Sequence, residues 1–484
     1  MDITLINPPL DKQTTSKFPM SGVPVGIACL AAYLRENNIE VSAIDAPIES
    51  YDYKQTAKKV MELNPSIAGV SCLTENRYAA LKTLKEIKQL NPKIKLIIGG
   101  IHVTSLDELI LRNYFFIDAV IRGEGEIPLL QYVKAIKNNT SLNKVSGLSF
   151  LEKDRIIRTP NQPFITNLDK LPIPAYDLFP MKKYPLPPDL NYKNILSSPI
   201  TTSRGCPMGC AFCTTTKFWG NIIRNMSAQR VYKESKYLYD AFGINYLRFV
   251  DDLFTMNNQR VIDYCKLVIN NKLDIKFRLQ ARIDTITTET LSWLKKAGCD
   301  LIEYGAESGS QKILDLMRKR IKVERIIDVS KKTQQSGIES KLFLIVGYMD
   351  EREQETFETF KLIQNAKPDW IGINPLTIYP GTEIYQIAKS KNMITDKIWL
   401  DYKNPKTGNA PLYSEYYSDK ELVFLSQLGK VWSMKNSPRS KEHRLIEKVV
   451  GKPLNEKLIK TIIFNKTLRK SLSTTSAALS PFLP

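Results

Sequence analysis

Three cysteines near the middle of the chain have a spacing that suits metal chemistry. Cys206, Cys210 and Cys213 follow the pattern C-x3-C-x2-C, so three thiolates lie within eight residues. Soft sulfur ligands this close together suit an iron–sulfur cluster or zinc. A zinc site usually takes four ligands, and neither histidine of the chain, His102 or His443, is near in sequence. Three thiolates would instead leave one iron of a four-iron cluster open to an outside ligand. Buried or disulfide-forming cysteines are the alternative interpretation.

The composition is that of a soluble globular protein with more than one domain. The chain has 484 residues, 43% hydrophobic and 25% charged, which predicts two or three domains. Seven cysteines without a framework spacing favour a reducing compartment. The N-terminus lacks a cleavable signal, and no apolar run reaches about 18 residues. We therefore expect a cytoplasmic protein.

The positive charge is concentrated near the C-terminus. The net charge is +19, and residues 430–470 contain twelve Lys or Arg against three Glu. Nucleic acid, an anionic membrane and an acidic substrate all suit such a segment, and so does a solvated surface. Apolar pairs recur at near-helical spacing among these charges, and Pro453 divides them into two short helices. A basic amphipathic helix can lie peripherally on anionic lipid, which suggests a membrane-lipid or isoprenoid substrate; a helix docked on the protein is the alternative.

The N-terminal part alternates short apolar runs with helical patterns. Strands are predicted at residues 3–6, 41–44, 67–71, 96–98 and 119–121, with helices at 25–37, 54–64, 77–90 and 127–137. This alternation predicts a parallel, doubly wound (Rossmann-like) sheet. Ligands of such sheets bind outside the carboxyl ends of the strands. The loops at those ends contain glycines at 99, 100, 123 and 125, which let a large ligand approach the backbone.

A second βα series follows a connector. Residues 145–165 predict a small β-hairpin, and six prolines between 172 and 188 mark a domain linker. Strand patterns then occur at 200–202, 246–250, 277–281, 301–304, 342–346 and 371–374. Six βα units fit a partial barrel with its active site at the carboxyl ends of the strands. The predicted regions are 1–140, the linker 141–197, the barrel 198–392 and a basic, mostly helical region 393–484.

Both halves together resemble the radical S-adenosylmethionine (SAM) enzymes that contain a B12-binding domain. The resemblance covers roughly residues 1–400, and the cysteine loop is its most specific part. Its other motifs are Pro8-Pro9, Gly26-x3-Leu30-Ala-Ala-Tyr-Leu34, Gly99-Gly100-x-His102, Arg122-Gly-Glu-Gly-Glu126 and Leu171-Pro-x-Pro-Ala-Tyr-Asp177. The resemblance implies a cobalamin-binding domain, a partial radical SAM barrel and three cofactors: a 4Fe–4S cluster held by the three cysteines, SAM and cobalamin.

Cobalamin is implied by this resemblance and not by an identifiable cobalt ligand. The pattern D-x-H-x-x-G, which supplies a histidine to cobalt in many B12 proteins, is absent here, as it commonly is in the resembling family. A domain that no longer binds cobalamin is the alternative. The residues expected at cobalamin are Pro9, Ser71, Thr74, Gly99, Gly100, His102, Gly123, Glu124 and Gly125.

The resemblance also places the SAM contacts. Phe212 has the family's position for packing near adenine, and Asp251 and Asp252 replace the family's Gly-Gly-Glu motif. Gln280 and Arg282 correspond to residues that hold ribose or carboxylate, and Glu307 suits the ribose hydroxyls. For Asp251, Arg282 and Glu307 an ordinary salt bridge at the rim is the alternative.

These assignments predict reductive cleavage of SAM to a 5′-deoxyadenosyl radical, most simply for cobalamin-dependent C-methylation of an unactivated carbon. Cyclisation, carbon–carbon coupling or oxidation without methyl transfer is the second hypothesis. A cobalamin or redox sensor without turnover is the third. The expected partners are a small-molecule or lipid substrate and a reductant such as flavodoxin or ferredoxin.

Overall fold

The computed structural model describes residues 1–10, 22–187, 194–400, 411–433 and 455–479. The chain forms two compact units. Unit 1 comprises residues 1–207, 212–248 and 379–410, and unit 2 comprises residues 208–211, 249–378 and 411–484.

Strands and helices alternate along most of the chain. The strands are β1 (Ile3–Asn7), β2 (Val41–Asp45), β3 (Ile67–Ser71), β4 (Lys95–Gly99), β5 (Ala119–Ile121), β6 (Leu148–Glu152), β7 (Arg155–Arg158), β8 (Ser197–Ile200), β9 (Ser203–Arg204), β10 (Arg224–Asn225), β11 (Tyr246–Phe249), β12 (Lys276–Ala281), β13 (Cys299–Glu307), β14 (Glu339–Val346) and β15 (Trp370–Pro375). The α-helices are α1 (Val25–Glu36), α2 (Tyr53–Leu63), α3 (Arg77–Leu90), α4 (Ile101–Thr104), α5 (Asp107–Asn113), α6 (Glu126–Lys137), α7 (Thr215–Trp219), α8 (Ala228–Phe242), α9 (Asn258–Asn270), α10 (Thr288–Lys296), α11 (Gln311–Leu316), α12 (Val323–Gln335), α13 (Glu353–Ala366), α14 (Glu383–Ser390), α15 (Asp419–Ser433), α16 (Glu456–Phe464) and α17 (Lys466–Leu479).

The sheet of unit 1 has seven strands in the order β2-β1-β3-β4-β5-β6-β7. The first five pair in parallel, which confirms the predicted doubly wound sheet. All five residues of β1 are buried, as expected for a strand covered on both faces. The predicted hairpin forms β6 and β7, but it does not stand apart as a linker. It extends the sheet, with Leu148 to Phe150 buried and antiparallel to β5, so β6 pairs with backbone groups of β5 that would otherwise lie at an open edge.

The second large sheet has six strands in the order β15-β14-β13-β12-β11-β8. Within unit 2, strands β12 to β15 pair in parallel. The register between β13 and β14 shifts between Gly305 and Glu307, at the carboxyl end of β13. Glu307 has a positive φ of 65°, a backbone conformation that is uncommon for a residue with a side chain. The fold thus holds Glu307, a predicted site residue, in an uncommon backbone conformation.

The C-terminal region described here is helical, as predicted, and it packs within unit 2. The apolar side chains Ile459, Ile462 and Ile463 of α16 are fully buried. Arg469 on α17 is also buried, and its Nε lies 2.9 Å from Oε1 of Glu421 on α15. The apolar face of α16 is therefore covered by protein and is not available to lie on lipid. The first part of the predicted amphipathic segment, residues 445–454, lies outside the described residues.

Candidate functional site

An apolar cavity of about 350 Å³ lies at the carboxyl ends of the unit 1 strands. Apolar side chains of α1, β4 and α6, among them Leu30, Ile97 and Leu129, form much of its lining. Six of the nine residues predicted for cobalamin also line it: Ser71, Gly99, Gly100, Gly123, Glu124 and Gly125. The loops that sequence analysis singled out separately thus surround one space.

Gly100 shows why the lining depends on glycine. Its φ is 116°, and a Cβ at this position would lie only 2.5 Å from the carbonyl oxygen of Cys72. Any side chain would push the loop after β4 away from the end of β3. Gly26, at the start of α1, differs because a Cβ there would meet no atom within 4 Å. The cavity is therefore closely bounded at Gly100 and open at Gly26.

His102 is buried beside the cavity but does not line it. Its Nδ1 lies 3.1 Å from Oγ1 of Thr74, and its ring meets that of Trp399 edge to face at 5.5 Å. Burial, assisted by the positive charge of Arg77, lowers the pKa of His102 to about 3. The imidazole is therefore neutral at physiological pH, and its Nε2 has no hydrogen-bond partner among the described residues. Pro9, also predicted for cobalamin, is buried near the end of β1 and does not line the cavity.

A second cavity of about 300 Å³ in unit 1 has a more polar lining. Thr74, Glu75, Thr214 and Tyr379 line it, and Ile101 lines both cavities. Thr214 directly follows the third cysteine of the loop. The hydroxyl of Tyr379 donates to Oε1 of Glu75 at 2.9 Å. Burial and the neighbouring Glu75 raise the pKa of Tyr379, so the phenol remains a donor.

Four buried charges form ion pairs at the edge of the apolar cavity; sequence analysis singled out Glu124 among them but predicted neither pair. Nη2 of Arg204 donates to Oε1 of Glu126 at 2.5 Å, and Nη1 of Arg224 donates to Oε1 of Glu124. Burial alone would lower the pKa of Arg204, but the Glu126 carboxylate raises it above the usual value. The sequence shows both glutamates in the motif Arg122-Gly-Glu-Gly-Glu126, whereas nothing in it pairs them with arginines about 80 to 100 residues away.

The three cysteines predicted to bind the cluster lie on the segment between β9 and α7, and all are partly exposed. No disulfide joins any of the seven cysteines, all of which are within the described ranges. Cys72, Cys265 and Cys299 are buried, and burial raises the pKa of each thiol. In chemical type and accessibility the loop thiols thus fit an iron–sulfur cluster. Among the described residues, no group of three or more His, Cys, Asp or Glu side chains is arranged to hold a metal ion.

Two of the predicted SAM contacts are brought together in unit 2 by Lys319. Nζ of Lys319 lies 2.7 Å from Oε1 of Glu307, and its carbonyl oxygen accepts from Nη2 of Arg282 at 2.8 Å. Arg282 also forms a bidentate pair with Asp284, at 2.8 and 2.9 Å. Both predicted contacts are thus in ion pairs, the arrangement that sequence analysis kept as the alternative.

The other predicted SAM contacts occupy varied environments. Asp251 is 1% exposed just beyond β11, whereas Asp252 beside it is exposed. Gln280 is half-buried near the end of β12, opposite Glu303 of β13. Phe212 is half-buried on the cysteine loop.

No helix among the described residues is both long and apolar enough to cross a membrane.

Comparison with known proteins identifies both halves of the chain. The family model of the B12 binding domain matches residues 13–133, and that of the Radical SAM superfamily matches residues 200–380. An uncharacterized methyltransferase of Pyrococcus horikoshii is 33% identical over 402 residues, which cover 83% of this chain and 86% of that protein. The anaerobic magnesium-protoporphyrin IX monomethyl ester cyclase of Rubrivivax gelatinosus is 28% identical over 380 residues, covering 77% of this chain and 67% of the cyclase.

A solved structure shows the same fold. It is the radical SAM methyltransferase TsrM from Kitasatospora setae, with cobalamin and a 4Fe–4S cluster bound. The TM-score is 0.71 at 14% sequence identity, and the match covers 99% of this chain and 100% of TsrM.

Proposed function

Because the chain belongs to the family of radical SAM enzymes that contain a B12-binding domain, we propose that it methylates an unactivated carbon of a small molecule. Its cofactors are a 4Fe–4S cluster, SAM and cobalamin. When bound, the cluster supplies the electron that cleaves SAM to methionine and a 5′-deoxyadenosyl radical, and cobalamin supplies a methyl carrier. The observation that carries the proposal is the apolar, glycine-lined cavity at the carboxyl ends of the unit 1 strands, where doubly wound sheets bind their ligands.

The residues of the chain have distinct parts in this proposal. Cys206, Cys210 and Cys213 hold the cluster through thiolate sulfur. Arg282 and Glu307 bind SAM, with the Glu307 carboxylate accepting from the ribose hydroxyls. The apolar side chains of the unit 1 cavity exclude water around the carrier, which protects reactive species from side reactions.

The second cavity supports a substrate with a polar group. Its lining offers the Glu75 carboxylate as acceptor and the hydroxyls of Thr74 and Thr214, next to the apolar cavity that shares Ile101. A lipid or isoprenoid with a polar head group meets this description, and so does a smaller polar metabolite. Flavodoxin or ferredoxin is the proposed reductant, since enzymes of this superfamily need an electron donor. Peripheral contact with an anionic membrane also stays a prediction, and flotation with anionic vesicles tests it.

Anaerobic reconstitution with iron, sulfide and hydroxocobalamin tests the proposal. We expect about four irons and one cobalt per chain. The loaded enzyme is then incubated with reductant, a metabolite and lipid extract, and SAM carrying a deuterated methyl group. Methylation gives 5′-deoxyadenosine, S-adenosylhomocysteine and a product that carries the labelled methyl group. Cobalt binding without S-adenosylhomocysteine or labelled product would contradict methylation.

Cyclisation is the second candidate, favoured by the 28% identical cyclase relative. In that case 5′-deoxyadenosine and methionine form, while S-adenosylhomocysteine and labelled product do not. A sensor without turnover would give none of these products. The same incubation therefore separates all three functions.

A further inference from the structure

The segment that leads into the first cysteine is held in a short, tightly bounded ribbon. Strands β9 and β10 pair antiparallel, with Arg204 opposite Arg224. Gly205, between this ribbon and Cys206, has a φ of 94°, and a Cβ there would lie 2.1 Å from the carbonyl oxygen of Ile222. The backbone just before Cys206 therefore lies directly against the residues that lead into β10, an approach that only glycine allows.

The side chains of both arginines of this ribbon pair with two glutamates, Glu124 in the loop after β5 and Glu126 at the start of α6. Arg204 pairs with Glu126 at 2.5 Å and lies 3.6 Å from Glu124, which also pairs with Arg224. The exposed fractions are 7% for Arg204, 6% for Arg224, 5% for Glu124 and 3% for Glu126. Charges this deeply buried are strongly held to their partners, because breaking one pair leaves an uncompensated charge without water. We call these four residues the ionic clamp.

Aromatic rings and a backbone group hold the clamp further. The guanidinium of Arg204 lies 5.2 Å from the ring centre of Trp219, and that of Arg224 lies 4.7 Å from the ring centre of Phe164. The free oxygen of Glu124, Oε2, accepts from the backbone N–H of Ile165 at 2.9 Å. Three of the four charges, those of Arg204, Arg224 and Glu124, thus have a further contact besides their ion pairs.

The clamp belongs to two sites at once. Glu124, Glu126, Arg204 and the adjoining Trp219 all line the apolar cavity. Arg204 is also only two residues before Cys206. A ligand in the cavity and a metal cluster on the cysteine loop therefore act on the same short segment of chain.

We propose that the ionic clamp couples cobalamin binding in the cavity to cluster binding at the cysteine loop. Its members are positioning residues, and the inference rests on the proposed function, since it requires both cofactors. Cobalamin in the cavity restricts the position of the Arg204 side chain, and Arg204 in turn restricts the position of the backbone that carries Cys206. By thermodynamic linkage the effect is reciprocal, so a bound cluster tightens cobalamin binding by the same factor.

Binding measurements without turnover test this coupling. The dissociation constant of hydroxocobalamin is measured anaerobically for cluster-free protein and for protein reconstituted with iron and sulfide. We expect the reconstituted wild type to bind about fivefold more tightly or better. In Glu126→Gln, which keeps the shape but removes one charge, we expect the ratio of the two constants to fall to about one, with the iron content retained.

A matched buried pair in unit 1 provides the control. Arg230 and Glu234 of α8 are 2.8 Å apart with side chains 8% and 1% exposed, and neither lines the cavity. Glu234→Gln therefore removes an equally buried charge, and we expect it to keep the wild-type ratio. Should Glu126→Gln fail to fold, Glu126→Asp, which keeps the charge but shortens its reach, allows the same comparison.

Each outcome has one meaning. A wild-type ratio of one, or a ratio that Glu126→Gln leaves unchanged, overturns the coupling. A loss of the ratio in Glu234→Gln as large as in Glu126→Gln also overturns it, because the effect would then be general destabilisation. Failure of the wild type to bind hydroxocobalamin in either state would instead contradict the proposed function itself.

Discussion

The apolar cavity of unit 1 and the predicted SAM contacts of unit 2 are built by different means. Backbone and glycine form much of the cavity edge, as at Gly100, where a side chain would collide with the end of β3. Among the predicted SAM contacts, Arg282 and Glu307 are long charged side chains that already have protein partners. A cavity bounded by backbone exists before its ligand arrives, whereas paired side chains must exchange partners when a ligand binds. The two regions should therefore respond differently to substitution.

The largest effect is expected at the cysteine loop, on which both regions depend for turnover. Replacing Cys206, Cys210 and Cys213 together with alanine should abolish iron binding and formation of 5′-deoxyadenosine, because no other soft ligands lie nearby in sequence. Iron, sulfide and 5′-deoxyadenosine are measured after anaerobic reconstitution. Cys265→Ala, at a buried position, is the control and should retain all three. Normal iron content in the triple variant would disprove the cluster assignment.

The preformed cavity should be blocked by added volume alone. Gly26 lines it and has open space around a Cβ, so Gly26→Phe introduces a ring without straining the backbone. We expect hydroxocobalamin binding to weaken about 100-fold, since a filled site cannot relax to admit the ligand. Spectrophotometric titration measures the change. Lys58→Phe adds the same ring to the exposed face of α2 and should leave binding unchanged. Unchanged binding in Gly26→Phe would mean that cobalamin does not occupy this cavity.

The paired side chains of unit 2 should show a smaller effect. Glu307→Gln removes a carboxylate proposed to accept from the SAM ribose, and we expect SAM to bind about tenfold more weakly, as for loss of one charged hydrogen bond. Glu303 on the same strand is an unusually close control. Both glutamates are 8% exposed, and Glu303 pairs with Lys341 at 2.8 Å as Glu307 pairs with Lys319 at 2.7 Å.

Equilibrium binding of SAM to Glu303→Gln therefore reports the cost of breaking such a pair at a residue that is not a predicted SAM contact. If both variants weaken SAM binding equally, Glu307 has a structural role only. If Glu307→Gln alone does so, the carboxylate exchanges Lys319 for SAM. The result decides whether this predicted contact differs from an ordinary buried ion pair.

The same difference explains what the sequence could predict. The short apolar runs and the glycines between them predicted the strands of both large sheets to within a few residues. For example, β11 was predicted at 246–250 and is found at Tyr246–Phe249. Six of nine expected cobalamin residues line one cavity, because parallel strands bring their carboxyl-end loops to one edge. Side-chain pairing across long sequence separations has no such periodic signal. Hence the ionic clamp, the Glu75–Tyr379 contact and the union of the hairpin with the sheet emerged only in the folded chain.

The last expected effect concerns the pH dependence of stability rather than ligand binding, and it has opposite signs in the two units. His102 in unit 1 has its pKa lowered to about 3 by burial, so its contribution to stability is present above its unfolded pKa near 6.5 and is lost as the pH falls. Glu351 in unit 2 is fully buried, and burial raises its pKa to about 7 from 4.5. Its contribution is present below pH 4.5 and is lost as the pH rises to 7.

Each contribution should change the free energy of unfolding by about 3 kcal/mol, for His102 between pH 6.5 and 4.5 and for Glu351 between pH 4.5 and 7. We expect the stability advantage of the wild type over His102→Asn to shrink between pH 6.5 and 4.5, because the introduced amide does not titrate. Glu351→Gln keeps an acceptor for the N–H groups of Gly347 and Tyr348, and its stability relative to the wild type should rise between pH 4.5 and 7. Thermal unfolding followed by calorimetry measures both trends. The stability of His102→Asn relative to the wild type should thus rise as the pH falls, and that of Glu351→Gln should rise as the pH increases. If both changed in the same direction with pH, burial beside Arg77 and Glu355 would not shift the two pKa values as stated.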